Sequence, residues 1–214
     1  MFLALLRKEF LLEWRQRYAL GGIVLYVVST VFVVYVSFQQ VKAPVWNALF
    51  WIINLFAAVN AVAKSFVQEN GKRQLYYYTL AHPTALVFSK IVYNTLLLFA
   101  LSVLAMATMQ VVAGNPLVKP SVFWVAMLLG SVGFGIAFTF ISAIAAKANN
   151  SGTLMAILSF PTILPILLEL IKLTTIAIGF TSDTAWLHDI YILLAINAIM
   201  LSLVFLLFPF LWRD

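Results

Sequence analysis

Glu169 and Lys172 lie three residues apart in SFPTILPILLELIK, a spacing that lets a carboxylate and an ammonium pair on one helical face. The only two histidines are His82, beside Pro83, and His188, beside Asp189, and there is no cysteine. Neutral imidazole binds iron well, which makes His188 the one candidate metal ligand, an axial group for haem iron; a lone histidine at headgroup level is the plainer reading. Without cysteine, disulfides and thiolate metal or redox sites within this chain are excluded. No segment matches the GxxxxGK phosphate loop followed by Ser or Thr, HExxH or GxSxG, and the seven acidic residues fall nearly all at loop ends. The expectation is no enzyme, with no catalytic residues, no metal centre and no directly bound cofactor. Any ATP-driven action needs another subunit.

The elements that must position these residues are read from hydropathy. Of 214 residues, 64% are hydrophobic and 9% charged, against roughly 25% charged in a soluble domain. Charge is absent from Tyr18 to Gln39, Ala43 to Ala63, Ile91 to Val118, Pro120 to Ala146, Ala148 to Leu168 and Ile190 to Trp212. A spanning helix needs about 20 apolar residues, and these runs do not alternate as barrel strands do. The sequence predicts an all-α polytopic membrane protein, one transmembrane domain over 1–214, with six spans near 19–39, 44–63, 90–113, 121–146, 151–171 and 189–212.

Orientation follows the excess of Lys and Arg in cytoplasmic loops. With the N-terminus inside, ten of the thirteen basic residues lie inside and only Lys42, Lys119 and Lys172 outside. Both termini are then cytoplasmic. The net charge of +6 is a topology signal, and no soluble basic domain exists to bind nucleic acid. Arg7, Lys8, Arg15 and Arg17, interleaved with Glu9 and Glu13, are unlike a cleavable signal.

Residues 1–18 are too charged to cross. Leu3, Leu6, Phe10 and Trp14 fall on one helical face, with Lys8, Glu13, Arg15 and Arg17 opposite, which predicts an amphipathic helix in the headgroup layer. Residues 64–89 form the longest inside segment. Asn70-Gly71 reads as a turn, Gln74 to Leu80 as a short helix with Tyr76, Tyr77 and Tyr78, and Pro83 as the first turn of the next helix. Such an element suits docking of a cytoplasmic partner, and equally an interfacial aromatic belt.

Gly130, Gly133 and Gly135, with Ala126 and Ser131, form small-residue spacings that let helices approach, within the monomer or across a dimer. Pro161 and Pro165, one turn apart, predict a bend or break in the fifth span, either structural or lining a pathway. Leu173 to Phe180 is apolar but short, read as a small helix in the outer leaflet.

Three segments resemble the CcmB proteins, the haem exporter B subunit of bacterial cytochrome c maturation and one of the ABC-2 type permeases. RKEFLLEWRQR is similar to the entry helix of such permeases, the stretch from Glu69-Asn70-Gly71 through Pro83 to Lys90 to the family's inside segment, and SGTLMAILSFPTILPILLE to its fifth span. The inside segment departs in its tyrosines and His82, being less acidic and poorer in leucine and proline. The resemblance implies an ABC-2 type fold in the bacterial inner membrane. It implies a separate CcmA-like cytoplasmic ATPase, haem-handling CcmC-like and CcmD-like membrane subunits, a CcmE-like haem chaperone, and a homodimer or a pseudo-dimer with another membrane subunit. ATP then acts through the partner, and haem is the possible cargo. Phe66 to Thr84 would contain the coupling helix, with Glu69, Gly71, Lys72, Arg73 and Pro83 shaping its surface. Two other functions fit the same bundle: an ABC-2 permease for lipid, glycan or drug, and a passive assembly scaffold.

Overall fold

A computed structural model of the protein describes residues 2–15, 17–37, 41–62, 66, 82–147, 151–181 and 186–213. All secondary structure among them is helical: α1 Phe2–Arg15, α2 Arg17–Ser37, α3 Ala43–Val62, α4 Pro83–Ala113, α5 Pro120–Ala146, α6 Ser151–Ala177 and α7 Trp186–Arg213. Five of these, α3 to α7, are long and apolar enough to cross a bilayer, while the apolar stretch of α2, Gly21–Ser37, is shorter.

Proline and glycine set several boundaries. Pro83 and Pro120 open α4 and α5 at positions whose N–H has no helical partner to lose. Gly114, at φ 80°, ends α4 in a backbone region that side chains disfavour. The connection beyond it is fixed by Val118 and Lys119, whose N–H groups both donate to Ala177 O, at 3.0 and 2.8 Å.

At 31 residues, α4 runs about 46 Å at 1.5 Å rise per residue, well beyond a hydrocarbon core of about 30 Å. This is why Lys90, counted from sequence as a loop charge, lies a full two turns inside a helix. α6 likewise continues to Ala177, so Leu173 to Ala177 form its last turns and the expected separate small helix does not exist. It also runs unbroken through Pro161 and Pro165.

α5 is the hub. Buried residues make up 78% of its apolar window, against 17% for α7, and it packs on α3, α4, α6 and α7. Its three glycines admit different neighbours. A Cβ at Gly130 would stand 3.0 Å from Leu170 and Trp51, one at Gly133 2.6 Å from Asn197 Oδ1, and one at Gly135 3.2 Å from the Thr95 backbone. In lipid, where burial of apolar surface gives little net drive, such close approaches hold helices together by dispersion contact.

Interhelical hydrogen bonds add to this. Ser102 donates to Asn54 Oδ1 (2.6 Å), Asn94 to Thr139 Oγ1 (2.8 Å), Trp51 to Thr174 Oγ1 (3.0 Å) and Asn197 to Leu129 O (3.0 Å). The first and last helices reach the same ring: Phe88 of α4 touches Phe2 of α1 at 5.4 Å and Phe205 of α7 at 6.0 Å between centroids. α1 and the last third of α7 therefore share one end of the bundle.

Candidate functional site

At that shared end, α1 is tied to α4 by three contacts. Phe2 meets Phe88, Phe10 meets Tyr93 edge-on at 5.0 Å, and between them Lys90 Nζ donates to Glu9 Oε2 at 3.1 Å. Lys90 is 1% exposed and Glu9 8%. Charges this buried persist only when paired, so Glu9 sets how α1 lies against α4. The predicted apolar face is accordingly divided: Phe10 reaches Tyr93, whereas Leu3 is left 77% exposed.

Lys90 also lies over the Phe66 ring, 4.9 Å from its centroid, a distance at which a cation is drawn to the ring quadrupole. Phe66 lies four residues beyond the end of α3, within the segment 64–89. Its N–H donates to Ser142 Oγ of α5 (3.3 Å), and its ring packs on Phe208 of α7 at 5.8 Å. Leu86, Val87, Ile91, Ile136, Ala143 and Val204 complete a small core around it, separate from the main one. Phe66, near the start of the segment 64–89, is thus held by α4, α5 and α7 together, with α1 joined through Lys90.

Of the residues assigned to that segment, Glu69, Gly71, Lys72 and Arg73 lie outside the described residues. Pro83 is the first residue of α4, directly after His82, whose Nδ1 is 2.8 Å from Thr84 Oγ1. Glu9, Lys90, Phe66 and Ser142 were not singled out from sequence. The available signal was Lys90 itself, a charge flanked by VFS and IVY, which at helical depth requires a partner.

At the opposite end, Lys172 pairs with Glu169 at 3.6 Å and, more closely, with Asp189 at the start of α7. Asp189 is almost wholly buried and Lys172 half exposed. The Glu169 pairing follows from spacing; the Asp189 contact joins two helices and does not. His188, beside it, is exposed. Among the described residues no group of three His, Cys, Asp or Glu is placed to hold a metal. Pro161 and Pro165 share an exposed face of α6 with Ile157 and Leu168, while Ile163, Ile166 and Leu170 point into the bundle.

A family model described as CcmB protein matches residues 1–210. The chain belongs to the CcmB family. No curated protein and no solved structure matches it. CcmB membership together with five long apolar helices makes it a multi-pass membrane protein and a permease subunit of the haem-exporter ABC system of cytochrome c maturation.

Proposed function

We propose that this CcmB chain is the element through which a cytoplasmic ATPase moves the membrane part of the complex. In this reading six helices, α2 to α7, cross the bacterial inner membrane as an ABC-2 type permease, α1 lies in the inner interface, and both termini are cytoplasmic. Residues 64–89 carry the coupling surface, with Glu69, Gly71, Lys72, Arg73 and Pro83 meeting a CcmA-like ATPase. CcmC-like and CcmD-like subunits handle haem, and a CcmE-like chaperone receives it. ATP acts through the partner, and haem is the cargo delivered.

The observation that carries this reading is the clasp on Phe66. A push on the inside segment is delivered at its root to α4, α5 and α7, through a hydrogen bond to Ser142 and a cation over the ring. Because Lys90 also holds Glu9, α1 follows. Packed elements of this kind shift as units when an interface is bistable.

Replacing Glu69 to Leu80 with a neutral linker tests the docking half. ATPase co-purification is expected to be lost while membrane insertion is kept; undiminished co-purification refutes the role. Deleting the gene and staining c-type cytochromes for covalent haem tests the cargo, since normal staining would point to a general exporter.

A further inference from the structure

Glu169 and Lys172 on α6 and Asp189 on α7 form a charged cluster that the permease reading does not use. Two carboxylates there share one ammonium. Lys172 Nζ donates to Asp189 Oδ1 and stands 3.6 Å from Glu169 Oε1, beyond hydrogen-bond reach. Asp189 is 1% exposed. Its second oxygen, Oδ2, and Glu169 Oε1 are both buried without a hydrogen-bond partner.

Among the described residues no other charge balances the second carboxylate. The charges acting on Glu169 are those of Lys172 and Asp189, and those acting on Lys172 are the two carboxylates. α3, α4 and α5 bring no titratable side chain to this end. Lys42 and Lys119, which precede α3 and α5, are exposed, as is His188 on α7. Two ionised carboxylates so placed repel one another, and each leaves a buried oxygen unsatisfied. The two groups lie close enough to hydrogen-bond to each other. A single proton between them removes both penalties, because the protonated carboxyl donates and the ionised one accepts. The cluster is then neutral.

We propose that Glu169 and Asp189 share one proton in the folded bundle, and that this proton latches the start of α7 to α6. When it leaves, the carboxylates repel and the latch loosens. The device stands on the geometry of this end and not on the permease reading. α7 also carries Phe208, on which Phe66 packs, so the helix fixed by the proton at one end is held by Phe66 at the other.

Infrared spectroscopy of the full chain in detergent tests this directly, since a protonated carboxyl group has a carbonyl stretch separate from that of a carboxylate. Exposed carboxyl groups are ionised at neutral pH, where wild-type protein is expected to show one such band and Glu169→Gln and Asp189→Asn to lack it. The folded chain holds the proton and the unfolded chain releases it, so stability falls as pH rises. The wild-type melting midpoint is expected to drop by several degrees between about pH 5 and about pH 8. That drop shrinks in Glu169→Gln, whose amide keeps a donor without titrating. Absence of the band in wild type overturns the proposal whatever the variants do, and so does an undiminished pH dependence in Glu169→Gln. A midpoint that follows added sodium instead of pH overturns it too, because it identifies a metal cation between the oxygens.

Discussion

The Glu9–Lys90 pair joins α1 to α4 at the end of the bundle that holds Phe66. Removing one partner of a buried pair leaves a charge without compensation, which costs about 3 to 5 kcal/mol, whereas replacing both with apolar groups is nearly neutral. Glu9→Gln or Lys90→Met is thus expected to lower thermal stability in detergent by several degrees, and Glu9→Met with Lys90→Met to recover most of it. A loss in the double variant equal to the sum of the two single losses would show that the pair carries no coupling. At the opposite end, Asp189→Asn is expected to destabilise more than Glu169→Gln, because Asp189 is buried and grips Lys172 closely while Glu169 stands 3.6 Å away; limited proteolysis of the connection between α6 and α7 reads the difference. The sequence shows Glu169 with Lys172 because that pairing is local. Glu9 with Lys90 and Lys172 with Asp189 span 81 and 17 residues, and a contact between helices leaves no periodic trace.

At the scale of elements, apolar length is the legible quantity and its ends are not. The interiors of α3 to α7 coincide with uncharged runs, yet Lys90 hides the first two turns of α4 because a charge reads as a loop unless its partner is known. Pro161 and Pro165 predict a bend or break from backbone chemistry alone, and the helix continues through both without a break. The α5 glycines are legible as small, but which neighbour each admits is not. That distinction yields a prediction. Gly135→Ala meets the Thr95 backbone, which cannot rotate away, while Gly130→Ala meets the flexible end of Leu170 and the edge of Trp51. Overpacking of this kind costs about 1 to 3 kcal/mol, so Gly135→Ala should lose more stability than Gly130→Ala. Gly152→Ala, with nothing within 4 Å, should lose none. A thermal melt in which Gly152→Ala matches Gly135→Ala would remove close packing as the cause.

For the whole molecule the open quantity is how many times the chain crosses. Phe88 touches both Phe2 and Phe205, which brings the first and last helices to one end of the bundle. A chain that starts and finishes at the same end crosses an even number of times. Five long apolar helices alone would make that number odd, and a crossing by α2 would make it even. Its 21 residues measure about 31 Å at 1.5 Å each, just enough for a core of about 30 Å, although its apolar stretch is shorter. Phosphatase fused after Gln40 is expected to be active, and fused after Lys147 or Asp214 inactive, with a cytoplasmic reporter giving the reverse pattern. Should α2 instead lie along the surface, the fusion after Gln40 reports the same side as the one after Lys147. The contact of Phe2 with Phe88 holds α1 beside α4, so an α2 lying along the surface would also bring the start of α3 to the end that holds Phe66, where Asn47 could not reach Thr175 at the other.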